Sequence, residues 1–432
     1  MSADKERRQL LRRMYDAAVQ SAHPERCLVT NLPEPPRNGR LIVVGAGKAG
    51  AAMAVAAGGH YAGLPGADRV YGCVVTRHGF ALKSSIIGIT EASHPVPDAA
   101  GVGAARLALE LARSAGPDDV VLCLLSGGAS ALWSAPVAGI TLAAKQALTR
   151  DLLRAGARIS EINCVRRHIS AIKGGQLAAA AAPARLVTLA ISDVPGDDPA
   201  VIGSGPTVAD ATTLADARDV LARFKIAPAP AIAAALADPA NETLKPGAPA
   251  LANATYTLIA TPGMAIAAAA EVARAAGYAV HVLGDALEGE ARDIAARHAK
   301  LALEARAKGE RVAILSGGEL TVTVTGNGAG GPNQEFALGL VAALGGAKGI
   351  TALAADTDGI DGGGGNATDP AGAIVGDDSL ARAQALGLNP AAFLANNDST
   401  AFFTALGDLV QCGPTQTNVN DFRGILIDPA TA

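Results

Sequence analysis

The chemical signals in this sequence lie in short polar loops that interrupt apolar runs. Gly45-Ala46-Gly47-Lys48-Ala49-Gly50 follows the run LIVV (41–44) and precedes an alanine-rich stretch. In that setting the first glycine permits a tight turn and the second lets backbone approach an anion. The start of the following helix adds N–H donors and a favourable dipole. Lys48 places a point charge inside the turn, which is what transfer of a phosphoryl group requires. A ligand-free strand–helix turn with close packing accounts for the same glycines. A dinucleotide would need an acid at the end of the next strand to hold a ribose. That strand ends Thr76-Arg77-His78 instead, and Arg77 suits a 2′-phosphate.

Ser126-Gly127-Gly128-Ala129-Ser130 repeats the apolar run followed by a glycine turn. Its small residues allow backbone and hydroxyl donors to surround an anion, although Ser126 would serve equally as a helix N-cap. The segment NCVRRHISAIKGG (163–175) is basic. Arg166 and Arg167 read as solvated helix charges, whereas Lys173 stands just before two glycines that admit a ligand. Asp193, Asp197 and Asp198 follow the apolar run LVTLAI, at the strand end where α/β proteins bind ligands. A carboxylate there can take a hydroxyl proton or help hold Mg²⁺, and turn formation beside Pro195 and Gly196 explains at least one of the three. Asp356, Asp358 and Asp361 form DTDGIDG. The spacing opens like a calcium loop, but no glutamate stands where an EF-hand needs one, so a loop for Mg²⁺–nucleotide or a polar ligand fits better.

The elements that must carry these loops alternate. Residues 4–22 form an amphipathic helix. The segments 41–60 and 118–136 each read as a strand, a glycine turn and a helix, and 70–76 and 185–194 read as further strands. Their apolar runs lack the polar alternation of a half-exposed strand and suit parallel strands covered on both faces. Helical patterns lie between them, at 98–115 behind Asp98 and at 140–157, so the arrangement predicts a parallel α/β sheet. The Ala- and Pro-rich stretch 226–250 is the candidate domain boundary. Beyond it come strands at 256–260 and 278–284, helices at 263–276 and 288–308, and the run RVAILSGGELTVTVTG (311–326), whose Thr–Val alternation predicts an antiparallel or edge strand.

Composition narrows the class. The 432 residues favour two domains, and 50% apolar residues with 18% charged residues exclude a disordered chain. Fifty glycines exceed the usual frequency of about 7%, without the period of collagen. A net charge of −4 gives no basic surface for nucleic acid. The five cysteines are scattered, with no C-x-x-C pair, which indicates neither a disulfide frame nor a zinc site. No apolar stretch reads as membrane-spanning and the charged N-terminus is no signal peptide, so a cytoplasmic location is expected.

Taken together, the strings LIVVGAGKAG, SHPVPDAAG, LSGGASAL, NCVRRHISAIKGGQLA, ISDVPGDDPAVIGSGPT, GNGAGGPNQEFAL, DTDGIDG, NNDST and GPTQTNVNDF resemble the class II glycerate kinases, the glycerate 2-kinase family with a C-terminal MOFRL domain. The match spans about residues 8–427. The resemblance implies ATP- and Mg²⁺-dependent phosphorylation of D-glycerate at its 2-hydroxyl. It implies two α/β domains: a Rossmann-like parallel sheet over 1–240 and a smaller MOFRL-type domain within 250–432, its MOFRL region at about 310–427, with the active site in the cleft between them. Carried over by position, the catalytic lysine falls on Lys48 and the catalytic aspartate on Asp193. Substrate or phosphate contacts fall on Gly45, Gly47, Ser126, Gly127, Gly128, Arg166, Lys173, Asp197, Asn333 and Glu335. Metal or nucleotide contacts fall on Asp356, Asp358, Asp361 and Asn418. Only small-molecule partners are expected, with no nucleic acid or membrane, and the chain is expected as a monomer or homodimer. Family members often carry an arginine in the loop that reads Gly328-Ala329-Gly330-Gly331-Pro332 here, so either another residue such as Arg166 or Lys173 supplies that charge or the activity is weaker or altered. A small insertion at 362–366 is a second departure.

Some members of this family carry the label hydroxypyruvate reductase. That alternative, using NADH or NADPH, would employ the 45–50 turn as a dinucleotide loop and needs a general acid, for which His94 and His168 are the motif-embedded candidates. A sugar-acid binding protein without catalysis is the third reading.

Overall fold

The computed structural model describes residues 3–363 and 365–429; Gly364, in the apparent insertion, lies outside them. The chain divides into two compact units, Pro24–Ile259, and Ala260–Ala432 together with Met1–His23.

In the first unit six strands lie side by side: β1 (Leu41–Ala46), β2 (Val70–Arg77), β3 (Ile87–Ala92), β4 (Val120–Leu125), β5 (Arg185–Ile191) and β6 (Ala254–Ala260). Their order is β3-β2-β1-β4-β5-β6. β1 to β5 are parallel, with Leu41 opposite Val70 on one side and Val120 on the other. Every residue of β1 and β4 is buried, as their unbroken apolar runs require. Ile42, Val44, Cys123, Leu125 and Trp133 form the core against the helix Ala99–Arg113, which Asp98 caps through Gly101 N at 2.9 Å. The order reverses between β1 and β4, which opens a crevice at their carboxyl ends. The loops after β1, β4 and β5 carry Lys48, Ser126 and Asp193 to that same edge.

The stretch 226–250 does not divide the units. It contains the helix Pro230–Ala237, and the chain then returns to the first sheet, where Leu186 N donates to Asn253 O at 3.0 Å as β6 joins β5. The division falls at 259–260 because β6 completes the first sheet.

The helix Ala3–Ser21 belongs to the second unit, although it comes first in the chain. It buries Leu10, Leu11, Met14, Tyr15 and Ala18 there. Arg7, 4% exposed, donates to Thr351 Oγ1 at 2.7 Å and to the carboxylates of Asp377 and Asp428 at 2.7 and 2.9 Å. The strands of this unit are β7 (Ala279–Val282), β8 (Gly289–Glu290), β9 (Val312–Ser316), β10 (Leu320–Thr321), β11 (Ile350–Asp356), β12 (Gly372–Val375), β13 (Leu409–Val410) and β14 (Asp421–Ile427). Six of them order as β13-β12-β11-β14-β9-β7. β14 runs antiparallel to both β11 and β9, so this sheet is mixed rather than parallel. The Thr–Val run makes only the two-residue β10, which pairs in parallel with β8. Beyond it Thr323 N and Thr325 N donate to the side chains of Glu290 and Asn397, at 3.0 and 2.7 Å, instead of to a neighbouring strand. Among the described residues no helix is long and apolar enough to cross a membrane.

Candidate active site

The loops after β1 and β4 interlock. Gly47 N donates to Val75 O at 3.1 Å, Lys48 N to Gly127 O at 2.8 Å, and Gly50 N to Gly47 O at 3.0 Å. Ala49 N donates to Ser126 Oγ at 3.0 Å. Ser126 is fully buried, so its hydroxyl caps the helix Gly50–Ala62 that follows β1, not the helix Ala129–Leu132 that follows its own strand. Gly47 has φ +140°, and a Cβ there would stand 2.0 Å from Ser126 Oγ; only glycine lets the two loops touch. The same accounting corrects the expectation of an amide cradle. The N–H groups of residues 47, 48, 49 and 50 all have protein partners, so none of these four amides is open to a ligand. Gly45 is packed inside the sheet, where a Cβ would stand 2.6 Å from Leu124 O. Lys48 is half-buried. Its stem and the His94 imidazole both lie against Gly128, whose hypothetical Cβ would be 3.5 and 3.1 Å from them.

Asp193 is half-buried, two residues beyond β5. The turn that presents it is held by Ser192 Oγ, which accepts from Val194 N at 3.2 Å, and by Asp197 N donating to Val194 O at 3.0 Å. Asp197 has φ +56°, and its Oδ1 is buried without a hydrogen-bond partner. Asp198 is a turn former, accepting from Ala200 N at 2.9 Å.

Arg166 and Lys173 converge on Ser130. Lys173 Nζ donates to Ser130 O at 2.8 Å and to Ser130 Oγ at 3.1 Å; Arg166 Nη2 donates to Ser130 Oγ at 3.0 Å. Ser130 Oγ also bonds Ser204 Oγ at 2.8 Å. Lys145, which no loop motif flags, is buried within electrostatic reach of both. Its sequence signal is a lysine at the i, i+3, i+7 positions of a helix face whose other members are the buried Leu148 and Leu152. His168 is fully buried, with its two ring nitrogens against Cys164 O at 2.8 Å and Glu242 Oε1 at 3.0 Å, so it holds the helix Ile159–His168 in place.

In the second unit the motif residues hold one another. Asp361 accepts from Asn333 N and Gln334 N at 3.0 and 2.9 Å, and from the Asn333 and Gln334 amides at 3.2 and 3.1 Å. Its carboxylate therefore caps the helix Pro332–Leu344, a role in place of the expected metal ligation. Burial, with the Asp421 carboxylate adding to it, pushes Asp361 up to about 7 against the pull of these donors. Asn333 also donates to Asp421 at 2.7 Å, and Asp421 pairs with Arg423 at 2.9 Å. Glu335 is 2% exposed and pairs with Arg292 at 2.5 Å, which makes it a fastening for that arginine rather than an open ligand contact. Asp356 and Asp358 accept from the backbone of their own turn, at Asp358 N and Ile360 N, both at 2.8 Å. Asn418 is buried and accepts from Asn420 N at 3.2 Å. Among the described residues no three His, Cys, Asp or Glu side chains gather to hold a metal ion. The NNDST motif clamps the glycine loop: Gly328 N donates to Asn396 O at 2.9 Å, Ala329 N to Asp398 Oδ1 at 3.2 Å, and Thr400 N to Ala329 O at 2.9 Å.

Comparison with known proteins adds to this geometry. Residues 10–237 match a family described as a domain of unknown function (DUF4147), and residues 312–421 match the MOFRL family. A D-glycerate 2-kinase of Thermotoga maritima is 38% identical over 94% of each chain. A protein of Agrobacterium vitis provisionally named a hydroxypyruvate reductase is 53% identical over 97% of this chain and 94% of its own. A crystal structure of glycerate kinase from Thermotoga maritima superposes with a TM-score of 0.88 at 36% identity, covering 98% of this chain and all of that one.

Proposed function

The chain belongs to the MOFRL-containing glycerate 2-kinase family, and from that premise we propose that it transfers the γ-phosphoryl group of ATP to the 2-hydroxyl of D-glycerate. The observation that carries this reading is the turn after β1. Its amides are occupied, and Lys48 lies in the turn at the point where the strand order reverses. Lys48 draws the negative charge that spreads over the transferring phosphoryl oxygens. Asp193, on the same sheet edge, accepts the 2-hydroxyl proton as that oxygen bonds to phosphorus and the bond to the β-phosphate oxygen breaks. The products are 2-phosphoglycerate and ADP. Mg²⁺ supplies further neutralisation of the phosphate oxygens. The buried, unpartnered Oδ1 of Asp197 is a hard oxygen that suits it, as are one or two carboxylates generally when phosphates provide the other ligands.

A dehydrogenase reading draws on the shared strand order and on the Agrobacterium relative. Against it stand the occupied amides and a β2 that ends without an acid, where Arg77 instead stacks over Phe80 at 4.7 Å. The test is to assay the purified chain with D-glycerate, Mg²⁺ and ATP, and separately with hydroxypyruvate and NADH or NADPH. ADP formation without NAD(P)H oxidation is expected. Lys48→Ala and Asp193→Asn should each lower kcat by at least about 100-fold with little change in melting temperature. NAD(P)H oxidation without ATP turnover refutes the proposal.

A further inference from the structure

Charges buried in proteins are ordinarily paired, because an unpaired one costs several kcal/mol. Around Ser130, three cations have no carboxylate partner among the described residues. Lys173 is fully buried, and its Nζ meets only neutral acceptors: Ser130 O, Ser130 Oγ, and Gly203 O at 3.3 Å. Arg166, half-buried, also meets neutral acceptors, with Nη2 on Ser130 and Nη1 on Asn163 Oδ1 at 3.3 Å. Lys145 is 4% exposed, and its Nζ is buried with no hydrogen-bond partner at all. Arg167, the next residue along, shows the ordinary solution: it pairs with Asp210 at 3.1 Å. The other three press on one another. Burial, then Arg166, lowers Lys145 to about 7, and burial, then Arg166 and Lys145, holds Lys173 well below its ordinary value.

We propose that Lys145, Arg166 and Lys173 form a seat for an oxyanion, and that the group it takes is the carboxylate of the hydroxy-acid acceptor. This assignment of the group rests on the proposed function. Ser130, which holds two of the cations, is two residues from Gly128, against which Lys48 lies. Two residues span at most about 7 Å. With Lys48 at the phosphoryl group, the far end of a short acid bound alongside falls next to Ser130, where the charge is uncompensated. Lys145 is then a binding residue, and its unpartnered ammonium is completed by substrate.

The inference has an unusual signature. A lysine serving the fold loses stability when replaced. A lysine waiting for an anion should not, because its apolar replacement removes an uncompensated buried charge. In Lys145→Met we expect the ligand-free melting temperature to match or exceed that of the parent chain. We expect the thermal stabilisation by D-glycerate to be lost, and the KM for D-glycerate to rise at least tenfold. The KM for ATP should stay within about twofold. Inorganic phosphate is the comparison arm: loss of its stabilisation with that of D-glycerate intact makes the seat a phosphoryl site and overturns the carboxylate assignment. Unchanged stabilisation by D-glycerate overturns the seat altogether. Arg166→Gln, read by the same titrations, decides the matter if Lys145→Met does not fold. The thermal readout needs no turnover, so a chain that answers to D-glycerate through Lys145 but never consumes ATP refutes the kinase and leaves the seat standing.

Discussion

Replacing Ser126 by Ala separates a structural hydroxyl from a ligand-binding one. Its Oγ accepts from Ala49 N at 3.0 Å in a site with no solvent exposure. Loss of an N-cap hydroxyl costs about 1 kcal/mol, and a buried N–H left unpaired costs about 1–3 kcal/mol. These describe one event, and the absence of water places it at about 2 kcal/mol. In a unit of this size that lowers the melting temperature by about 4–8 °C. Gly47→Ala should cost more, since its Cβ would stand 2.0 Å from Ser126 Oγ and 2.6 Å from Ser126 O at a φ of +140°. In the double variant the nearer clash is gone and the carbonyl clash remains, so the combined loss should fall short of the sum of the two singles. Thermal unfolding gives the stabilities, and steady-state kinetics on the folded variants give the second readout. For Ser126→Ala we expect KM for ATP and for D-glycerate within about twofold of the parent. A melting temperature within a degree of the parent, joined to a tenfold rise in KM for ATP, would show that Ser126 binds ligand and that the cross-loop cap is not its purpose.

Two further outcomes follow from ion pairs. The Arg40 side chain, then the amides of Gly116 and Arg40 working against burial, hold Asp119 down to about 2. Because the folded pKa lies below the unfolded one, this pair stabilises above pH 4 and the contribution fades as pH falls from about 4 toward 2. The urea midpoint should drop across that window, and Asp119→Asn should flatten the drop; an equal slope in the variant assigns the acid sensitivity elsewhere. Arg7→Met removes the cation that Asp377 and Asp428 share, leaving Asp428 with Arg311 alone; since both carboxylates reach solvent, the loss should be about 1–3 kcal/mol. Hydrogen exchange should show the loss in the sheet of β9, β11 and β14 and leave β1 and β4 protected; equal loss in both sheets refutes the assignment of the first helix to the second unit.

What could be read from the sequence followed from what periodicity reports. Unbroken apolar runs located β1, β2, β4 and β5, and a polar residue ahead of a helical pattern located the Asp98 cap. Periodicity reports which face of an element is buried, not which element buries it. The helix Ala3–Ser21 was therefore recognisable while its place in the second unit was not, since that depends on Arg7 reaching residues hundreds of positions away. The same limit hid the antiparallel insertion of β14 between β11 and β9. At the site, residue type and spacing singled out Lys48, Asp193, Arg166 and Lys173 as candidates, whose roles the proposed assays test. They also marked Ser126, Asp361 and Glu335 as contacts, because a hydroxyl or carboxylate in a glycine loop looks alike whether it caps a helix, fastens an arginine or meets a ligand. Only the partner atom distinguishes these roles. Lys145 was passed over because it lies within a helix, away from every glycine loop.

The crevice at the reversal of a parallel sheet binds phosphates in many proteins through backbone amides, which hold an anion in place whatever its reaction. Here the same strand order is kept while the four amides of the first turn are bonded to β2, to the β4 loop and to the turn itself. An amide cradle carries only the partial charges of its N–H groups. In the proposed reaction a lysine side chain brings a full positive charge to the phosphoryl oxygens, which amides already bonded within the protein cannot do. Exchanging the one for the other suits a sheet used for group transfer rather than for holding a dinucleotide. It also accounts for the interlock, because a lysine can be aimed from this turn only if the loop beneath it is fixed by Gly127 and Ser126.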